Sequence, residues 1–290
     1  MSTPTRLAVF AGGLVVAFAT AWGVGSFVDP LLDEPLAAHD MGEDAGAVED
    51  HAQATHLPGG LMVSQDGYAL ALEENTLSPG RRSIAFTITD PEGEPLSAYE
   101  TEHEKELHLI AVRRDGSGFQ HVHPTRGADE QWRTDVHLTP GSWRIFADFT
   151  PAGHEGLTLG ADVIVPGRVT TVPAIRTSTS TVDGYTVMLT GDLSVGTSSD
   201  LTVTVTRDGV PITDLEPYLG AYGHLVALRA GDLAYLHVHP EESGPGPDVP
   251  FVAEVPSAGD FHLYFDFQHD GVVRTAEFFV AAGEGEHDEH

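Results

Sequence analysis

The sequence predicts an all-β chain of two tandem antiparallel β-sandwiches. Three observations carry that expectation: short strand-like runs, turn chemistry at intervals of about ten residues, and an ordered internal repeat. The 290-residue length suits two modest domains with a core each. Runs such as RSIAFTITD, ELHLIAVRR, WRIFADF, LTVTVTR and FHLYFDF are β-branched, aromatic or alternating. Between them stand DPEGEP at Asp90, Pro140-Gly141, RDG at Arg207 and SAGD at Ser257, residues that bend the chain between antiparallel strands. No helix longer than two turns is evident in this region, and the strand spacing suits sandwiches of the immunoglobulin (Ig) type.

The elements ahead of the sandwiches read differently. Leu7 to Val28 carries no charge over 22 residues and follows Arg6, so it is long enough to cross a bilayer as an N-terminal transmembrane helix, with residues 29 onward outside the cytoplasm. AFA at Ala17–Ala19 offers a cleavage site, which leaves a removed signal segment as the other reading. Either reading places the remainder on the extracytoplasmic side. Residues 29–57 are acidic, Ala- and Gly-rich and poor in aromatics, a disordered linker by composition. Residues 282–290, ending GEGEHDEH, form an acidic His-containing tail of the same character.

Repeat 1 is expected over 58–165 and repeat 2 over 166–281, joined at Pro166-Gly167. DGY at Asp66 returns at Asp183, HLIAVRRD at His108 as HLVALRAGD at His224, FQHVHP at Phe119 as YLHVHP at Tyr235, and GSWRIFADF at Gly141 as GDFHLYFDF at Gly259. Four matches in the same order mark duplicated domains.

Composition excludes several functions. Lys and Arg total 14 against 44 Asp and Glu, a formal charge of −30, so the surface repels the phosphate backbone and nucleic acid is not a partner. The absence of cysteine removes thiolate metal sites, cysteine nucleophiles and the thiolate-ligated blue-copper centre.

What the repeat preserves is chemically specific. Residues i and i+2 of a strand share a face, so His121 and His123 project together, as do His237 and His239. A neighbouring strand brings His108 or His224, 13 residues ahead of the first histidine of each HVHP. Asp148 alternates against Trp143, Ile145, Ala147 and Phe149 and therefore faces away from them; Asp266 is its counterpart. The expected ligand sets are His108, His121, His123 and Asp148 in repeat 1, and His224, His237, His239 and Asp266 in repeat 2. Imidazole with one carboxylate suits Cu(II) or Zn(II), with the aspartate either ligating or orienting a histidine through its second ring nitrogen. His154 and His269 are reserve ligands in the loops after the aspartate strands. His103, His137 and His262 have no counterpart in the other repeat and are left out. Pro124 and Pro240 read as strand stops. The same histidines read equally as half-buried side chains hydrogen-bonded at a corner of the fold.

The anchor, the acidic His-containing spacer and the segments HLIAVRRDGSGFQHVHP and YLGAYGHLVALRAGDLAYLHVHP resemble exported, membrane-anchored bacterial proteins labelled heavy-metal-binding. More remotely, each domain is similar to the YtkA and FixH-like exported β-sandwiches associated with copper handling. The resemblance implies a non-enzymatic role in copper or zinc handling, storage or chaperoning. Its implied partners are a metal ion, the cytoplasmic membrane through the N-terminal helix and a metal-accepting membrane protein. Two other classes remain. One is a surface protein-interaction module with structural histidines. The other is a cupin-like metal-dependent oxygenase, suggested by Gly231 and His237-Val-His239; it lacks the glutamate expected at Ser243 or Gly244.

Overall fold

The computed structural model describes residues 58–236 and 238–283. The expected membrane segment at Leu7–Val28, the acidic linker and the tail from residue 284 lie outside these residues. No helix among the described residues is long and apolar enough to cross a membrane.

Repeat 1 contributes β1 (Ser64–Gln65), β2 (Tyr68–Leu72), β3 (Gly80–Thr89), β4 (Leu107–Arg113), β5 (Gln120–Val122), β6 (Thr125–Arg126), β7 (Trp132–Leu138), β8 (Gly141–Phe149) and β9 (Leu157–Val165). Repeat 2 contributes β10 (Thr179–Val182), β11 (Tyr185–Thr190), β12 (Leu193–Ser194), β13 (Ser198–Arg207), β14 (Val210–Pro211), β15 (His224–Arg229), β16 (Tyr235–Leu236), β17 (Val238–Pro240), β18 (Asp248–Glu254), β19 (Gly259–His269) and β20 (Val272–Gly283). The first sandwich pairs sheet β1-β2-β3-β7-β6 with sheet β5-β4-β8-β9; the second pairs β10-β11-β13-β18-β17 with β12-β20-β19-β15-β16. Consecutive strands thus leave one sheet for the other and return, so that β3 pairs with β7 in the first sandwich and β13 with β18 in the second. That is the Ig-like arrangement, and both repeats have it.

Local sequence explains the strands. In β3, Ile84, Phe86 and Ile88 point inward and Ser83, Ala85 and Thr87 outward; Leu201, Val203 and Val205 in β13 repeat the pattern. The Asp-Gly pairs at Asp66-Gly67 and Asp183-Gly184 close the hairpins β1–β2 and β10–β11 with left-handed φ at both positions (53° and 86°; 47° and 82°).

β4 and β15 break the alternation and are buried almost throughout. Leu107, Leu109 and Ala111 enter the first core, while Ile110 and Val112 on the opposite face enter a separate cluster with Phe119, Phe146, Val226, Leu228, Leu233 and Tyr264. That cluster draws on both repeats, so the two sandwiches pack against each other through the outer faces of their β4- and β15-bearing sheets. The contact has internal two-fold character. Phe119 of repeat 1 stacks on Tyr264 of repeat 2 at 3.9 Å, and the counterpart pair, Tyr235 on Phe146, lies at 5.8 Å. The Tyr264 hydroxyl also donates across the contact to the Gly116 carbonyl.

Candidate metal centre

The polar end of this inter-repeat contact gathers the histidines. His108 sits on β4 opposite Asp148 of β8, and His224 on β15 opposite Asp266 of β19. All four residues stand on the strand faces that turn away from their own cores, which burial drives toward the other repeat. His121 lies on β5 opposite Ile110, and His123 follows one residue past the end of β5. A cleft of about 160 Å³ opens here, with His108, His121, His224 and Asp148 among its walls and Glu100 and Glu102 at its rim.

His108, His121 and His123 form the tight group: one ring nitrogen from each lies within 4.8 Å of the others. The His108 Nδ1 to His121 Nε2 distance is 3.1 Å. His121 Nδ1 stands 2.9 Å from Oδ2 of Asp266, whose carboxylate reaches over from repeat 2 and accepts a second bond from the Thr275 hydroxyl. His108 Nε2 is 3.1 Å from the Glu102 carbonyl, and His224 Nε2 is 2.7 Å from the Tyr218 carbonyl. These two anchors occupy the same place in the two repeats. His123 Nε2 is buried with no hydrogen-bond partner among the described residues.

Those partners assign the protons. A carbonyl only accepts, so His108 Nε2 carries the hydrogen. Burial, then the neighbouring His121 ring, holds the His108 pKa down at about 3, so at pH 7 it is neutral and its Nδ1 is a lone pair. The Asp266 carboxylate in turn takes the Nδ1 hydrogen of His121. If His121 is neutral, two lone pairs face each other across 3.1 Å, which is unfavourable unless a cation lies between them. A proton satisfies the pair by making His121 an imidazolium; a metal ion satisfies it by ligating both. With metal to nitrogen bonds of about 2.0–2.1 Å, a 3.1 Å separation corresponds to an angle of about 95–100° at the metal, within the range of distorted four-coordinate sites. His123, held neutral by burial and by His121 and His108 at a pKa of about 3, supplies a further nitrogen. His224 is likewise lowered to about 4, first by burial.

The structure distributes the expected residues differently from one set per domain. His108, His121 and His123 come together, but the carboxylate that meets them is Asp266 of repeat 2. Asp148 accepts from the Thr158 hydroxyl at 2.7 Å and hydrogen-bonds Tyr235 of repeat 2. Both aspartates therefore reach over the repeat boundary, because the faces that carry them are the faces that pack together. His224 lies in the same cleft, its ring 6.4 Å from that of His121. His239 is exposed on β17, opposite Val252, and also lines the cleft. His237 lies outside the described residues. His269 is engaged elsewhere, at 2.6 Å from the Tyr185 hydroxyl and 3.1 Å from Asp214, and His154 packs edge-on to Tyr68. Pro240 is the last residue of β17, where it pairs with Phe251 after the chain has crossed to the other sheet.

One residue at the cleft was left out by the sequence reading. The His103 ring lies 5.1 Å from His224 and 6.1 Å from His108. It was passed over because repeat 2 has no histidine there. The available signal was the turn itself: Glu104 stands where repeat 2 has Gly220, the residue that suits the second position of such a turn.

Comparison with known proteins gives a family and a fold. No curated protein matches the chain. Similar solved structures include the Escherichia coli adhesin FdeC (15% identity over 76% of this chain and 65% of that one, TM-score 0.25). The Yersinia pseudotuberculosis adhesin InvE is similar at 11% identity (74% and 59% covered, TM-score 0.25). A tetra-tandem repeat from the extending region of a large adhesion protein is similar at 14% (74% and 49%, TM-score 0.26). The chain spans less than two thirds of each of those three, and with scores this low the Ig-like assignment rests on strand order. The family described as a domain of unknown function, DUF8832, matches residues 63–166 and again 180–284. The chain belongs to that family and carries its domain twice.

Proposed function

We propose that the protein binds a Cu(II) or Zn(II) ion outside the cytoplasmic membrane, at one centre built on the contact between its two domains. His108, His121 and His123 are the ligands, and Asp266 orients His121 through its second ring nitrogen. The observation that carries this reading is the 3.1 Å approach of two imidazole nitrogens whose other ring nitrogens are engaged, His108 Nε2 by the Glu102 carbonyl and His121 Nδ1 by the Asp266 carboxylate. The buried Nε2 of half-buried His123, which has no hydrogen-bond partner among the described residues, supports it, since such atoms are rare without a ligand or water to satisfy them. The ring nitrogens are already neutral, so metal uptake does not first have to displace protons from His108 or His123. The role this suits is holding or passing on an ion. No sulfur ligand is available to favour the reduced metal, so the oxidised form is the expected cargo.

A second reading is an extracytoplasmic interaction module in which the histidines only shape the domain contact. The same 3.1 Å distance favours it if a proton, not a metal, bridges the rings and His121 stands as an imidazolium on Asp266. Calorimetric titration of the full chain with Cu(II) and with Zn(II), beside the double variant His121→Ala/His123→Ala, separates the two. Metal binding predicts that the variant takes up one equivalent less than the wild type. Equal uptake by both leaves the histidines structural and gives the interaction module precedence.

A further inference from the structure

The segment Glu102–Lys105 is a two-residue hairpin closed by reciprocal backbone hydrogen bonds of 2.9 Å. Its two central residues are left-handed, His103 at φ 46° and Glu104 at φ 64°. Repeat 2 builds the same turn at Tyr218–Ala221, with Leu219 at φ 55° and Gly220 at φ 77°. Turns of this kind favour Asn, Asp or Gly at both positions, and non-glycine residues there cost conformational energy. In repeat 2, glycine takes the second position and Leu219, at 6% exposure, gains from packing. His103 is exposed and gains nothing of the sort. What the turn does achieve is to hold the His103 ring over the mouth of the cleft, 5.1 Å from His224 at an interplanar angle of 80°.

That spacing fits two imidazoles edge to face and is also compatible with a shared metal ion. Two imidazoles on one metal, with bonds of about 2.0–2.1 Å and an angle of roughly 100–110°, have ring centres about 5 Å apart. His224 Nε2 is committed to the Tyr218 carbonyl, which leaves its Nδ1 as the lone-pair nitrogen. The His224 ring is 6.4 Å from His121 and the His103 ring 6.1 Å from His108, so the pair stands beside the buried group, with His103 on the solvent side. The two residues come from different repeats.

We infer that His103 and His224 form an outer metal position, which holds a Cu(II) or Zn(II) ion with water completing its shell before the ion passes inward to His108, His121 and His123. This rests on the metal-binding reading above. The transfer is ligand exchange: one metal–nitrogen bond forms as another breaks, water fills the vacated position, and the oxidation state is unchanged. Two protein ligands bind less tightly than three, so the outer position is the weaker.

His103→Gly tests it, because glycine suits the left-handed turn and leaves the fold intact; an unchanged or raised melting temperature of the metal-free variant verifies this. Calorimetry and stopped-flow mixing with Cu(II) are run on the full-length wild type, His103→Gly and His123→Ala, so that the tail histidines contribute equally to all three. The expectation is that His103→Gly loses the weaker copper equivalent and fills the inner position at least tenfold more slowly, with the inner affinity unchanged. His123→Ala should do the reverse, weakening the tighter equivalent and keeping the weaker one. If His103→Gly matches the wild type in stoichiometry and rate while His123→Ala loses copper, the outer position is refuted and the inner one stands. Unchanged uptake in both variants overturns the inner site and the outer one with it.

Discussion

Acidification from pH 7 to pH 5 is expected to destabilise the metal-free protein through three imidazoles that the fold keeps neutral. His108 and His123 have pKa values lowered to about 3 and His224 to about 4, against 6.5 for an unperturbed histidine. The folded value lies below the unfolded one in each case, so the unfolded chain takes up protons that the native state refuses. Stability is therefore complete above pH 6.5 and falls as the pH drops from there toward 4 and 3. At pH 5 unfolding binds about three protons at these positions, a slope of roughly 4 kcal/mol per pH unit. Integrated from pH 7, each imidazole costs about 2 kcal/mol. The native rings stay neutral over this interval, so the three together cost about 6 kcal/mol. Urea unfolding in the presence of a chelator, at pH 7 and pH 5, measures the loss. The double variant His108→Gln/His224→Gln is the internal control, because its carboxylates titrate like those of the wild type while two of the three imidazoles are gone. It should lose about 4 kcal/mol less than the wild type over that interval. Equal losses in the two proteins would refute the claim that burial holds these rings neutral.

Two further outcomes follow from the same geometry. Asp266→Asn places an amide N–H against His121 Nδ1, which moves the imidazole proton to Nε2 and removes the lone pair aimed at His108; metal affinity measured by competition titration should fall about 10- to 100-fold, and nitrogen NMR should show the altered tautomer. Retained affinity with the wild-type tautomer would show that Asp266 does not orient the ring. Leu228→Ala empties a fully buried position in the apolar contact between the repeats and should cost about 2–5 kcal/mol in urea unfolding, with weaker metal uptake because Asp266 and His121 come from opposite sides of that contact. A loss below about 1 kcal/mol would mean that the repeats do not rely on each other for stability.

Much of this protein was legible one strand at a time. Alternation turned Asp148 away from Trp143 and Ile145, because side-chain direction in a strand is set by covalent geometry and needs no knowledge of the rest of the chain. The turn chemistry, as at RDG from Arg207, and the duplication were legible for the same reason: both are patterns in the sequence itself, one of backbone conformation and one of identity at a held spacing. That His108, His121 and His123 share a face was likewise available from the period of two and a hairpin-length gap.

What the sequence could not assign was the partner on the far side of that face. Two copies of one domain can stand apart or pack together, and the choice depends on burial summed over Ile110, Val112, Phe146, Val226, Leu228 and Tyr264, residues far apart in the chain. The unbroken apolar runs of β4 and β15 hinted that both faces of each strand were covered, without saying by what. Packing those faces together brings Asp266 to His121 across 145 positions of sequence and sets His103 beside His224. By itself the sequence determined two Ig-like sandwiches, each with a strand, β4 or β15, that carries a histidine, His108 or His224, on its outward face. Only the tertiary structure decided that the two faces meet, since non-directional burial of apolar surface, not any pairing code in the histidines, draws them together.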